Sequence, residues 1–307
     1  MRAICIGECM LELRQLEAER YALGFAGDVY NTAVHLKRQA PELDVQFATV
    51  TGDDSLSARM RAEWRRQGLG EGLAFEAHGT PGLYLIELEA GERHFHYWRS
   101  ASPARGWLRE LLARGGEAAL AGADLVYLSG ISLAILPDED QPAAVELLRR
   151  LKGRAGLIAI DPNVRPKLWP SLDRAREIIG AAADAADIVL PSLDDLTALG
   201  WDIDNLPGEA AVTAGADGCR IRIDGRWEHL PPPPSDVRDT SGAGDAFNGA
   251  YLAARLHGAP PLAAAEAGLA LAARNVAVFG ALPDLQMFRR SESPSTGGST
   301  GEAGEGG

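Results

Sequence analysis

The sequence predicts an α/β domain: a mostly parallel central sheet covered by helices on both faces, with a small β-sheet projecting from it. Three observations carry this. Strand-like apolar runs recur at 3–8, 45–50, 124–130, 156–161, 187–192 and 210–215. Helical patterns lie between most of them, at 28–38, 55–67, 138–151 and 173–184, and such alternation marks a parallel sheet buried on both faces. One segment departs from it: "GLYLIEL" (82–88), the turn "EAGE" (89–92) and "RHFHYWR" (93–99) read as a β-hairpin with Gly91 in the turn.

Side chains alternate across a strand, so Phe95, Tyr97 and Arg99 share one face of the hairpin while His94, His96 and Trp98 share the other. A small sheet of this kind suits a lid, and an edge hairpin with ordinary aromatic packing is the competing reading. Further on, Pro231–Pro234 form a stiff extended connector. Helices are expected over 243–256 and 262–278. From Ser291 onward, "SESPSTGGSTGEAGEGG" offers almost nothing to bury, which predicts one domain over 1–290 and a disordered tail over 291–307.

A chain of 307 residues, 46% of them hydrophobic, can bury a sizeable core. It contains no apolar run of about 18 residues, so no membrane span is expected. The start, "MRAICIGECM", enters a strand at once without a signal-peptide pattern. A cytoplasmic protein is the expectation. Cys5, Cys9 and Cys219 are too few and scattered for a disulfide frame or zinc site and read as packing residues. A net charge of −13 argues against nucleic acid or anionic membranes as partners, so an anionic ligand must be held locally. Lys37, Lys152 and Lys167 are the three lysines, and none sits in a G-x-x-x-x-G-K-[ST] loop. Neither H-R-D nor D-F-G occurs, which removes the protein-kinase reading.

The stretch with most chemistry is "DTSGAGDAFNGAYLAARL", 239–256. Its apolar spacing predicts a helix whose first turn is the glycine-rich segment. First-turn amides lack intrahelical partners and, with the helix dipole, attract an anion such as phosphate. Asp245 beside that anion site either caps the helix or has a chemical task. Its place at a helix N-terminus predicts a lowered carboxylate pKa. A dinucleotide fingerprint is a poor fit, because Phe247 stands where G-x-G-x-x-G needs its last glycine.

"DTSGAGDAFNGAYLA" resembles the C-terminal signature of the pfkB, or ribokinase-like, family of carbohydrate kinases. "IGECMLEL" (6–13), "FAGDVYNTAVHL" (25–36), "PGLYLIE" (81–87), "ERHFHYWRS" (92–100), "YLSGISLAIL" (127–136) and "DPNVRPKLW" (161–169) are similar to blocks of the family's ketodeoxygluconate branch. They occur in the family's order up to about residue 284. The resemblance implies a ribokinase-like three-layer fold with a β lid formed by about 9–26 and 80–102. It also implies ATP-dependent phosphorylation of 2-keto-3-deoxygluconate at its 6-hydroxyl, with Mg²⁺, and homo-oligomers that pair through the lid.

Site residues follow from the same resemblance. Asp245 corresponds to the catalytic base, and Gly242, Ala243 and Gly244 to the anion hole. Gly27, Asp28, Asn31, Tyr84 and Tyr97 would line the sugar, with Asp28 also able to cap the helix at 29–38. Arg99 and Arg165 are suitable forks for a sugar-acid carboxylate, against the plainer readings of a strand-end arginine and a loop salt bridge. "TAGADG" (213–218) resembles the nucleotide turn and brings Thr213, Gly215, Asp217 and Gly218 to ATP. Asn163, Ser192 and Asn275 would join them. Asp195, in "PSLDDL", would hold Mg²⁺ through water, with a surface helix charge as its plainer reading.

Two features depart from the family. Thr213 stands where many relatives carry lysine. Only "GWDIDNLPGE" separates the helix of "PSLDDLTAL" from the strand "AAVT", where relatives usually place another helix. A parallel crossover needs a dozen or more residues, so the expectation is a locally rewired sheet or a compromised nucleotide half. A fructokinase-like enzyme and a catalytically impaired sugar-acid-binding protein are the alternatives.

Overall fold

The computed structural model describes residues 1–17, 19–89 and 92–283. Ala90 and Gly91 of the expected turn and the whole expected tail lie outside them. The chain begins with β1 (Arg2–Ile6), β2 (Met10–Glu17), β3 (Arg20–Ala26), α1 (Asp28–Gln39), β4 (Asp44–Thr51), α2 (Ser55–Arg66) and β5 (Ala74–Glu76). Then come β6 (Leu83–Glu89), β7 (Glu92–Trp98), α3 (Trp107–Ala113), α4 (Gly116–Ala121), β8 (Leu125–Ser129), α5 (Gly130–Ala134) and α6 (Gln141–Leu151). The remainder is β9 (Leu157–Asp161), α7 (Leu172–Ala185), β10 (Ile188–Val189), α8 (Leu193–Leu199), β11 (Glu209–Thr213), β12 (Cys219–Ile223), β13 (Arg226–Leu230), α9 (Ala243–Leu256) and α10 (Pro261–Val276).

The large sheet runs β13-β12-β11-β10-β9-β8-β1-β4-β5. Every neighbouring pair from β11 to β5 is parallel, while β12 and β13 extend it antiparallel. The alternation of strand side chains builds two cores. Ile4, Ile6, Val126, Leu128, Ile158 and Ile160 pack beneath α3 to α7, with Leu108, Leu148 and Ile179. Their neighbours Ala3, Cys5, Leu125, Tyr127 and Ala159 face α1, α2, α9 and α10, with Tyr30, Trp64, Phe247 and Leu269. This gives three layers. The cysteines are buried packing residues, as their scatter suggests.

The second, smaller sheet has the order β3-β2-β6-β7 and contains the strands expected to form the lid. Face alternation in its hairpin is as expected: Phe95 and Tyr97 rings stack at 6.4 Å, and His96 and Trp98 stack at 6.4 Å. The expected rewiring after α8 is absent. β10 and β11 pair parallel, and α8 is itself the crossover element between them. The helix contributes seven residues of its own to the crossover. From β10 to β11 the connection exceeds the dozen residues a parallel crossover requires.

Candidate active site

Parallel strands release their loops at one edge, and the chemistry gathers there. Glu8 follows β1, Asp161 ends β9 and leads to Arg165, Ser192 to Asp195 follow β10, and Thr213 ends β11 and leads to Gly218. The first turns of α1 and α9 close the same edge. Gly27 is the residue before α1 and presses against the Glu8 carbonyl so closely that a Cβ would collide with it. That contact sets where α1 begins.

Asp245 is the third residue of α9. Gly242, the residue before the helix, has φ 70°, and a Cβ on it would lie 2.8 Å from Ala281. Glycine is therefore required on both backbone and steric grounds. No side chain caps α9, so Asp245 is not spent on capping. Instead its Oδ2 accepts from Asn31 Nδ2 at 2.8 Å. The Ala243 amide turns back to the Thr240 carbonyl at 3.3 Å, and Ala246 makes the first helical bond to Gly242. This leaves the amides of Gly242, Gly244 and Asp245 without a backbone acceptor among the described residues. A Cβ on Gly244 would meet nothing within 4 Å, so the space before them is open.

The expected lowering of the Asp245 pKa is overturned. Removal of its carboxyl from water and the neighbouring charge of Asp28 push it up to about 7, against the opposing pull of Asn31 and Arg165. Loss of solvation and a like charge outweigh half a helix dipole. Asp161, unassigned in the sequence, is also buried; burial and the charges of Asp195, Asp28 and Asp245 hold its carboxyl well above the usual range.

Asp28 does not cap α1; that position is Gly27, and the Asp28 carboxylate accepts from Asn163 Nδ2 at 2.7 Å. Asn163, with φ 34°, is thereby directed to the first turn of α1. Asp195 is no surface charge. It is buried, accepts from the Val164 amide at 2.6 Å, and forms a capping box with Ser192. Asn275 is fully buried and donates to the Ser241 carbonyl at 2.8 Å, steadying the loop ahead of Gly242. Asp239 shares that task through the amides of Ser241 and Gly280, both at 2.8 Å.

Arg99 is not a free fork. It forms an ion pair with the buried Glu8, and its own side chain is 11% exposed. Arg165 is exposed and bonds its Nη1 to the Val164 carbonyl at 3.0 Å. On the smaller sheet, Tyr84 is buried and donates to the Glu12 carboxylate, while Tyr97, 5.8 Å from it between ring centroids, is 54% exposed. Thr213 and Ser192 form a bridge between the loops after β11 and β10. Gly215 and Gly218 have φ of 56° and 85° in the turn that carries Asp217. Sequence reasoning missed Glu8, Asp161, Asn248 and Tyr127. Each lies inside or beside a quoted block, but its partners are distant in sequence.

The model of the pfkB family of carbohydrate kinases matches residues 2–286. The chain belongs to this family. The kinase is 37% identical over 301 residues to 2-dehydro-3-deoxygluconokinase of Dickeya dadantii (strain 3937), covering 92% of this chain and 97% of that protein. The Escherichia coli (strain K12) protein of the same name is 35% identical over 296 residues, covering 90% and 95%. In fold, the kinase resembles an uncharacterized sugar kinase from Pyrococcus horikoshii in complex with ATP, with a TM-score of 0.79 at 21% identity over 92% and 94% of the two chains.

Proposed function

We propose that the kinase transfers the γ-phosphoryl group of ATP to the 6-hydroxyl of 2-keto-3-deoxygluconate, giving 2-keto-3-deoxy-6-phosphogluconate. One observation supports this above the others: a carboxylate with a pKa near 7 sits one residue behind the open amide of Gly244, beside the polar first turn of α1. Phosphoryl transfer needs positioning and charge stabilisation more than covalent chemistry. Asp245 accepts the proton of the sugar hydroxyl, and a pKa near the working pH suits that task. The amides of Gly242, Gly244 and Asp245 receive the charge on the phosphoryl oxygens, with Ala243, whose amide is held by Thr240, shaping the turn.

Asp28 and Asn31 bind sugar hydroxyls, and the buried Asn31 Oδ1, which has no protein donor, is an acceptor waiting for one. Gly27 gives the sugar close access to the backbone. Tyr84 and Tyr97 wall the lid side, and Arg165 attracts the substrate carboxylate, whereas Arg99 is held by Glu8 and serves the frame of the site. Ser192, Thr213, Gly215, Asp217 and Gly218 frame ATP; Asn163 and the buried Asn275 serve it only by ordering the loops after β9 and ahead of Gly242.

Among the described residues no group of three or more His, Cys, Asp or Glu side chains could hold a metal. Mg²⁺ fits this chain as a companion of the ATP phosphates, which keeps most of its waters. Such an ion neutralises phosphate charge. Asp195, fixed by Val164 and Ser192, has lone pairs left for one of its waters.

The lid leaves Phe95, Tyr97 and Trp98 46–58% exposed, which supports pairing between two copies through this sheet. No helix among the described residues is long and apolar enough to cross a membrane; a cytoplasmic location remains our reading. An ADP-release assay over sugar acids and neutral sugars, fructose included, tests the function. The expected result is turnover of 2-keto-3-deoxygluconate that Asp245→Asn abolishes. Preference for fructose, or sugar-acid binding without ADP release, would overturn it.

A further inference from the structure

The residues around Asp245 form three Asp–Asn couples that interlock. Each of three elements carries one aspartate followed closely by one asparagine: Asp28 and Asn31 on α1, Asp161 and Asn163 after β9, and Asp245 and Asn248 on α9. On the two helices the spacing is three residues, which places both side chains on one face. Each asparagine then donates to the aspartate of the next element. Asn31 Nδ2 reaches Asp245 at 2.8 Å, Asn248 Nδ2 reaches Asp161 at 2.9 Å, and Asn163 Nδ2 reaches Asp28 at 2.7 Å. The direction of donation closes on itself.

We propose that this ring fixes the aim of the Asp245 carboxylate, and that Asp161 and Asn248 are positioning residues for phosphoryl transfer. The inference rests on the reading of Asp245 as the base. Asn248 is 2% exposed, and its Nδ2 also reaches the Tyr127 hydroxyl at 3.2 Å, so its amide is held from two sides. Tyr127 lies 3.4 Å from Thr32 Oγ1, which carries the link back to α1. Asp161 has both oxygens engaged: Oδ2 by Asn248, and Oδ1 by the Asn163 amide at 3.0 Å. The helix bodies are already fixed, because a Cβ on Gly249 would lie 2.5 Å from His35 Cβ. The ring adds control at their tips. Three segments far apart in sequence are thereby held to one another around the reacting position, and a misplacement of about 1 Å there can cost roughly 100-fold in rate.

The chemistry of the ring provides its own rescue. In Asp161→Asn, the new amide group turns an N–H toward one of the two donors that the carboxylate satisfied. Adding Asn248→Asp reverses the couple: residue 161 then donates to residue 248 while its remaining oxygen still accepts from Asn163. Asp161→Asn, Asn248→Ala and the double exchange Asp161→Asn with Asn248→Asp are assayed with 2-keto-3-deoxygluconate and ATP, alongside Asp245→Asn. Either single change is expected to lower kcat roughly 30-fold while KM for the sugar acid stays within about threefold. The double exchange is expected to recover most of that loss, a coupling that independent structural damage does not produce. If both single variants keep kcat within threefold, or the exchange is no better than Asp161→Asn, the ring has no positioning role. Should Asn248→Ala fail to fold, Asp161→Asn and the exchange, which conserve volume, decide. An Asp245→Asn enzyme with full activity would instead overturn the base assignment, whatever the ring variants do.

Discussion

Asn31 on α1 donates to the carboxylate of Asp245 on α9 at 2.8 Å, across 214 positions of sequence. This bond stabilises the ionised form of Asp245, whereas burial and Asp28 oppose it, and the balance lies near pH 7. The ratio kcat/KM should therefore rise with pH, about tenfold per unit well below 7, and level off above it. Asn31→Ala removes a bond made to the charged form, so the midpoint moves upward. A midpoint that stays in place or falls in that variant would show that Asp245 is not the group being titrated.

Stability should run opposite to activity at this residue. The folded pKa lies above the ordinary value of 3.8. Between about pH 4 and 7 the unfolded chain releases this proton while the folded chain keeps it, so folding loses stability through that window, and the loss is complete above 7. Asp245→Asn removes the penalty and keeps an oxygen for Asn31. We expect Tm to rise by about 2–5 °C at pH 8, a figure reduced because the side chain retains some water, and to change little at pH 4. Turnover falls at least about 1000-fold in the same variant. Equal Tm changes at the two pH values would contradict the raised pKa.

The three layers were legible because a period of two in the strands and about 3.6 in the helices survives any detail of packing. Ile4 and Ile6 against Ala3 and Cys5 show that period directly. The helix of Asp245 was readable to its ends for the same reason. The couples were not. Asp161 sat in a quoted block with no task, because its side-chain partner Asn248 is 87 positions away and only the fold brings them together. The sign of the Asp245 shift failed likewise: the helix dipole can be read locally, but Asp28 and the surrounding protein cannot. Arg99 looked like a fork awaiting a ligand because its partner Glu8 is 91 positions earlier.

Arg99 and Arg165 separate a structural from a recognition role. Arg99→Ala leaves Glu8 charged and buried without its partner, a loss of about 3–5 kcal/mol. Its thermal unfolding should move sharply downward. Arg165 is exposed, so Arg165→Ala should leave Tm within about 1 °C. If it meets the substrate carboxylate, KM for the sugar acid rises by about 10- to 100-fold, from the loss of a hydrogen-bonded charge. An unchanged KM would remove Arg165 from recognition and favour a neutral sugar.

Thr213 offers a gain-of-function test of the nucleotide side. It ends β11, its amide donates to the Pro191 carbonyl at 2.9 Å, and it bridges Ser192, so its backbone is fixed by the sheet. Its side chain is only partly buried, leaving room for a longer one to extend. In a chain of net charge −13, an added ammonium group beside the glycine turn of 215–218 should draw the ATP phosphates. Thr213→Lys is thus expected to lower KM for ATP by about 3- to 10-fold, with a steeper dependence on salt, while KM for the sugar acid is unchanged. If KM for ATP and its salt dependence both match the parent enzyme, the phosphates do not pass this turn, and the assignment of Thr213, Gly215, Asp217 and Gly218 to the nucleotide falls.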